Sequence, residues 1–167
     1  MTETISRIFL NVLKTYVKPD LVLYKAREAY VPISTDEFGK RVRDLSLGLR
    51  SLGARPGEKI VILADNGPDW IAADFANLCL GAVTVPIYPT LVPEQIRYIV
   101  DDSDAAVVVV SNADHWKKVE PLRPALAKVR HYITFAETAP AGVLTLREVQ
   151  ERGRALEARE PGLFDAM

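Results

Sequence analysis

Cysteine is nearly absent from this 167-residue chain, with Cys79 standing alone. A single thiol excludes an internal disulfide and any zinc site built on clustered cysteines, and it suits a reducing compartment. Histidine is almost as scarce, at two residues, His115 and His131. An excess of one charge is missing too. Lys plus Arg is 21 and Asp plus Glu is 22, a net charge of −1, so no nucleic-acid partner is expected. The stretch Met1 to Arg7 has no basic region followed by an apolar run, and no secretory leader is expected. Phe75 to Pro93 carries no charge, but Asn77, Gly81, Pro86, Pro89 and Pro93 interrupt it. A membrane span needs about 20 consecutive apolar residues, so this stretch reads as a helix end, a buried strand and a loop. Also missing are the G-x-x-x-x-G-K-[ST] phosphate loop, a G-x-G-x-x-G turn after a strand, and the G-x-S-x-G nucleophile elbow.

What is present is punctuated periodicity. Ile5 to Val17 places Ile5, Ile8, Phe9, Val12, Leu13 and Tyr16 at helical spacing, with Arg7, Lys14 and Lys18 around the stripe. This predicts an amphipathic helix packed on the body, with a membrane-surface helix as the rarer alternative. Leu21–Tyr24 and Tyr30–Ile33 read as a hairpin, with Pro32 suited to an edge. Ser34 and Glu37 form an S-x-x-E capping pattern, followed by Phe38, Val42, Leu45, Leu49 and Leu52 on one face and Gly53 at the C-cap. Apolar runs then begin near 60, 83, 106 and 129, an interval of about 23 residues that alternates strand with helix. The expected class is α/β: a parallel βα-repeat sheet buried on both faces, with helices on each face, preceded by a helix and a short hairpin. In the helix 68–80, Ile71, Phe75 and Leu78 are expected to point inward, and Asn112 is expected to cap a helix through Trp116 and Val119. Residues 1–57 hold the helix, hairpin and capped helix, and 58–135 the sheet. Residues 136–167 hold a helix with a second capping pattern, Thr145 and Glu148, and an end, Glu160–Met167, that reads as a linker.

Few residues suggest chemistry. Asp114 and His115 are sequence neighbours on a helix and do not share a face, so a structural or surface role is expected for His115, as for His131 in its strand. Cys79 lies in an apolar helix and reads as a small hydrophobe. Asp101–Asp104 lacks the Gly and later Glu of a calcium loop and reads as a solvated helix end. In open parallel sheets, ligands bind beyond the carboxyl ends of strands. That selects Asp65–Pro68, Tyr88–Thr90 and Ser111–Asn112, although turns and caps need the same residue types. Asn66, Tyr88, Pro89 and Thr90 are the site candidates. No catalytic residue and no metal ligand is assigned.

Several stretches in fixed order resemble a known family: Ile33-Ser-Thr-Asp-Glu-Phe38, Leu49 to Ile62, Asn66-Gly-Pro-Asp-Trp70, Gly81-Ala-Val-Thr-Val-Pro-Ile-Tyr-Pro-Thr90, and Pro93-Glu-Gln-Ile-Arg-Tyr-Ile99. The chain resembles the N-terminal portion of the AMP-forming acyl-CoA synthetases, the adenylate-forming superfamily shared with luciferases and peptide-synthetase adenylation domains. Pro86-Ile-Tyr-Pro-Thr90 is similar to the long-chain fatty acyl-CoA synthetases, since luciferases and coumarate ligases more often have Asn where Tyr88 stands.

The resemblance implies an incomplete AMP-binding domain over 1–167 from a long-chain fatty acid–CoA ligase. Its parent would convert ATP, fatty acid and CoA through an acyl-adenylate to acyl-CoA, AMP and diphosphate. ATP, Mg²⁺ and CoA would be bound by the parent and poorly by this chain, because the family's Thr/Ser/Gly-rich phosphate loop is not here. The implied partners are the rest of the adenylation domain, a C-terminal domain and a fatty acid. The implied location is cytoplasmic or membrane-peripheral, and the isolated chain is expected to be inactive and to self-associate. The alternatives are a stand-alone α/β interaction or regulatory module, and an adenylating enzyme for an aryl or amino acid.

Overall fold

The computed structural model describes residues 4–167, so the first three positions of the stretch weighed as a leader lie outside the described residues. Helix α1 (Ile5–Thr15) is capped by the Thr4 hydroxyl, which accepts from the Arg7 N–H at 3.3 Å. It stops short of Val17 because Tyr16 leaves helical geometry. The freed Tyr16 carbonyl accepts the Thr35 hydroxyl at 2.9 Å, and that hydroxyl oxygen accepts from the Lys18 N–H at 3.0 Å. Strands β1 (Val22–Ala26) and β2 (Ala29–Ile33) form the expected antiparallel hairpin, with Pro32 opposite Leu23.

Helix α2 (Thr35–Ser51) makes only half of the expected capping box. Ser34 Oγ accepts from the Glu37 N–H at 3.2 Å, but the Glu37 carboxylate turns to Arg41 one turn on, where a charge-assisted bond replaces the reach back. Phe38, Val42, Leu45 and Leu49 are buried as their spacing predicts, but Asp44, Ser46, Leu47 and Gly48 on the opposite side are buried as well.

The chain continues through β3 (Lys59–Leu63), α3 (Pro68–Leu80), β4 (Val83–Ile87), α4 (Pro93–Asp102), β5 (Val107–Val110) and α5 (Ala113–Val119). A 3₁₀ segment (Glu120–Ala125), β6 (His131–Thr134), β7 (Leu144–Thr145) and α6 (Leu146–Arg159) complete it. One parallel sheet results, in the order β4-β3-β5-β6-β7. Alternate strand residues serve two cores. Ile60, Ile62, Val107, Val109 and Ile133 pack with Phe38, Ala72 and Val149 from α2, α3 and α6. Val61, Leu63, Val108, Val110 and Tyr132 pack with Ile96, Val100, Trp116 and Val119 from α4 and α5. The α/β class with helices on both faces therefore holds.

Four local expectations are corrected, and the second capping box is met. The inner side of α3 is Ala72, Ala73, Ala76 and Leu80, while Ile71 is 37% exposed; the small side chains let α3 sit close to its neighbours. β4 is an edge strand and is not buried on both faces, with Val83 48% exposed. The Val83 N–H donates to Glu58 on the β3 side, so the alternating Thr84 and Pro86 face the open edge, and Pro86 has no N–H to offer there. A fifth strand, β7, precedes α6, where only a loop was expected. The capping box at Thr145 is complete, since the Glu148 N–H donates to Thr145 Oγ1 at 3.1 Å and the Thr145 N–H donates to Glu148 Oε2 at 2.7 Å. Finally, Glu160–Met167 is not a loose linker. Phe164 is buried with Leu47 and Leu156, and the Arg43 guanidinium lies 5.2 Å from its ring centre.

Helix α6 lies across the back of α2, which explains why α2 is buried on two sides. Glycines permit the close approach: a Cβ on Gly153 would fall 1.8 Å from the Asp44 carbonyl oxygen, and one on Gly48 would fall 2.1 Å from the Val149 carbonyl oxygen. Arg154 bonds the nearly buried Asp44 carboxylate at 2.9 Å across the same crossing.

Candidate functional site

From β3 the chain steps to β4 on one side, then returns past β3 to β5 on the other. The reversal places a crevice outside the carboxyl ends of β3 and β5, the position where doubly wound sheets bind ligands. Two of the three loops chosen by that rule meet there. Asp65 follows β3, and Ser111 and Asn112 follow β5. The Asp65 N–H donates to Ser111 Oγ at 3.3 Å, and Asn112 Nδ2 donates to Asp65 Oδ2 at 3.1 Å. Asn112 Oδ1 also accepts the Asp114 and His115 N–H groups at 3.0 Å each, capping α5 as expected.

The third loop faces Asp65 across a cleft of about 510 Å³. Ala64, Asp65 and Asn66 line one side, Pro86 to Thr90 the other, and Trp70 of α3 contributes its indole. Asn66, Tyr88, Pro89 and Thr90, chosen from sequence, thus share one cleft. The loop is held by Lys118 of α5, whose ammonium donates to the Pro89 and Leu91 carbonyls, the latter at 3.2 Å. At its other end, β4 is tied to α3 by buried Asn77, which donates to Thr84 Oγ1 at 3.1 Å.

Sequence reasoning missed two participants. His115 is buried, shares a 2.8 Å hydrogen bond between Nδ1 and Ser111 Oγ, and places Nε2 3.9 Å from Asp65 Oδ2. The signal available was its i, i+4 spacing from Ser111, not its neighbour Asp114, which pairs outward with Lys117. Lys118 had no signal, because its partners are carbonyls 27 and 29 residues away. His131 is structural: Nε2 bonds the Leu52 carbonyl at 2.9 Å.

The lining defines what the cleft can do. Asp65 is its sole charged member, and that carboxylate is already engaged by Asn112 and Ser111. No Lys or Arg is among the described residues that line the cleft. Among the described residues no group of three or more His, Cys, Asp or Glu side chains is placed to hold a metal ion. Asp104 of the acidic run pairs with Lys128, which holds its carboxyl below the ordinary range. Burial pushes the Cys79 thiol up to about 11, far from a nucleophile's range.

Fold and crevice together define a doubly wound parallel α/β unit with a strand-end cleft. The chain belongs to the AMP-binding enzyme family, whose model matches residues 14–161. It is 33% identical over 132 residues to a long-chain-fatty-acid–CoA ligase, FadD15, of Mycobacterium tuberculosis, covering 78% of this chain and 22% of the relative. It is 26% identical over 153 residues to the human long-chain-fatty-acid–CoA ligase ACSBG1, covering 90% and 21%. Among solved structures, an acetoacetyl-CoA synthetase from Streptomyces lividans matches with TM-score 0.79 at 22% identity, over 87% of this chain and 24% of that one. An anthranilate CoA ligase, AuaEII, in complex with anthranoyl-AMP matches with TM-score 0.78 at 22% identity, over 87% and 27%. The chain therefore spans about a fifth of the length of these curated relatives, and at such identities the solved structures speak for the fold.

Proposed function

We propose that this chain is the sheet-forming N-terminal part of a long-chain fatty acid–CoA ligase, and that it does not form acyl-adenylate alone. The observation that carries the reading is the 33% identity over 132 residues to a long-chain-fatty-acid–CoA ligase. The parent's reaction joins a fatty carboxylate to AMP with release of diphosphate, then exchanges AMP for the CoA thiol. The reading assigns neither Mg²⁺ nor the triphosphate to residues of this chain. Its contribution is a rigid platform: central strands buried on both faces, with the Asp65 and Tyr88–Thr90 loops pinned by Asn112, Ser111 and Lys118.

The test is substrate-dependent ATP–diphosphate exchange by a longer product of the same reading frame, comparing palmitate with anthranilate and with amino acids. Exchange stimulated most by palmitate supports the reading. Exchange stimulated most by an aryl or amino acid reassigns the substrate, and a longer product with no exchange for any acid overturns the enzyme assignment.

A further inference from the structure

The two walls of the strand-end cleft are held unequally. The wall after β3 is tied several times over. The Asp65 N–H donates to Ser111 Oγ at 3.3 Å, Asn112 Nδ2 donates to Asp65 Oδ2 at 3.1 Å, and Ser111 Oγ shares a 2.8 Å bond with His115 Nδ1. The wall after β4 has one polar tie to the body. Among the described residues, the hydrogen bonds of Tyr88–Leu91 are the turn bond from the Leu91 N–H to the Tyr88 carbonyl at 3.1 Å and the two that Lys118 donates, to the Pro89 and Leu91 carbonyls. Pro89 has no N–H to add. The ends of this span are anchored. Ile87 is buried in β4, Leu91 packs partly on the core that holds Ile96 and Trp116, and the Val92 N–H donates to Gln95 Oε1 at the start of α4. Between them Tyr88 stands 78% exposed.

Lys118 is committed to this contact. Its neighbour Lys117 pairs with Asp114 at 2.8 Å, but no ion pair among the described residues includes Lys118. The residue is half-buried, and its ammonium has the two carbonyls in place of a carboxylate. A cation drawn out of water must recover hydrogen bonds, and a bond from a charged donor is stronger than one between neutral groups. The two accepting carbonyls bracket Thr90, which lines the cleft. We propose that Lys118 is the latch of the cleft: a positioning residue whose ammonium holds Tyr88–Thr90 in place as one wall, so that this wall opens when the ammonium no longer donates, while the Asp65 wall and the sheet stay as they are. The proposal concerns the shape of the cleft and is independent of the ligase reading.

Hydrogen exchange of the 167-residue chain, read residue by residue by NMR, is the test. The Leu91 amide reports on the turn, and the Val108 and Val109 amides report on the sheet. Lys118→Met keeps the apolar stem and removes the donors. It should speed exchange at Leu91 by roughly 10-fold, the effect of losing a charge-assisted hydrogen bond, with Val108, Val109 and the melting temperature unchanged. Lys118→Ala should open the turn in the same way and leave room for a free amine. Propylammonium, which replaces the missing part of the side chain, should then slow exchange at Leu91 again. Tetramethylammonium, which carries the charge but has no N–H, should not. Unchanged exchange at Leu91 in Lys118→Met overturns the proposal. So does faster exchange that spreads to Val108 and Val109, which would make Lys118 a general stabiliser of the fold. Rescue of Lys118→Ala by both cations equally, or by neither, also overturns it, because the latch acts by donating N–H to two carbonyls.

Discussion

Gly153→Ala probes the close α2–α6 crossing. The added methyl would lie 1.8 Å from the Asp44 carbonyl oxygen and 2.8 Å from the Gly48 nitrogen. Both are backbone atoms, so no side-chain rotation relieves the clash. Carbon contacts prefer about 3.5–4.0 Å, so α6 must recede by more than an ångström. That shift loosens Val149 and Leu156 and lengthens the Arg154–Asp44 bond, now 2.9 Å. Overpacking costs ~1–3 kcal/mol, and a backbone clash belongs at the upper end. Alanine regains ~1 kcal/mol over glycine in a helix, leaving a net loss of about 2 kcal/mol. At ~2–4 °C per kcal/mol for a chain of this size, the melting midpoint should fall by roughly 4–8 °C. Gly39→Ala is the internal control. Its methyl would meet Leu13 Cδ1 at 3.1 Å, a side-chain tip bordering an open cavity that can swing aside, so it should be neutral or stabilising by up to ~1 kcal/mol. Thermal melts of both variants by circular dichroism decide the matter. Gly153→Ala melting at or above the parent refutes the close crossing.

Val108 is fully buried on β5 between Val61 and Tyr132, and Val108→Asp should cost roughly 3–5 kcal/mol, a large share of the ~5–15 kcal/mol of a domain; a variant that unfolds in urea together with the parent contradicts the two-core account. The hydrogen bond from Arg130 holds the Glu58 carboxyl below its ordinary 4.5. A depressed carboxylate stabilises the fold above its unfolded pKa, and that contribution is lost as pH falls through the folded pKa, so the loss of stability below pH ~4.5 should be shallower in Glu58→Gln; identical acid profiles would refute the pairing. With its thiol pushed up to about 11, Cys79 should react with iodoacetamide far more slowly in the folded chain than in urea, and equal rates would show that it is not protected.

The sheet was legible because its strands announce themselves in a simple period. A run such as Val107–Val110 has no polar face, so it fits only the middle of a parallel sheet. The features that escaped depend on what comes to lie beside an element. Nothing in Val83-Thr-Val-Pro-Ile87 says that β4 ends at an open edge, although Pro86 is a hint once the order is known. Gly48 and Gly153 read as weak helix positions until the two helices touch. Phe164 lay in what reads as a linker, yet its pocket is built from Leu47 and Leu156, far away in sequence. At the candidate site, the strand-end rule located Asn66 and Tyr88–Thr90 in one cleft and brought Asp65 to Ser111 and Asn112. It could not reveal Lys118 or His115, because their partners are set by tertiary contact across the crevice.

The central proposal is that this chain supplies the platform of an adenylating ligase and does not form acyl-adenylate alone. ATP–diphosphate exchange by the isolated 167-residue chain, with Mg²⁺ and palmitate, tests it most directly. The account predicts exchange no higher than in a protein-free control, because no Lys or Arg is among the described residues that line the cleft that Asp65 and Tyr88 share. Palmitate-dependent exchange clearly above that control would contradict it.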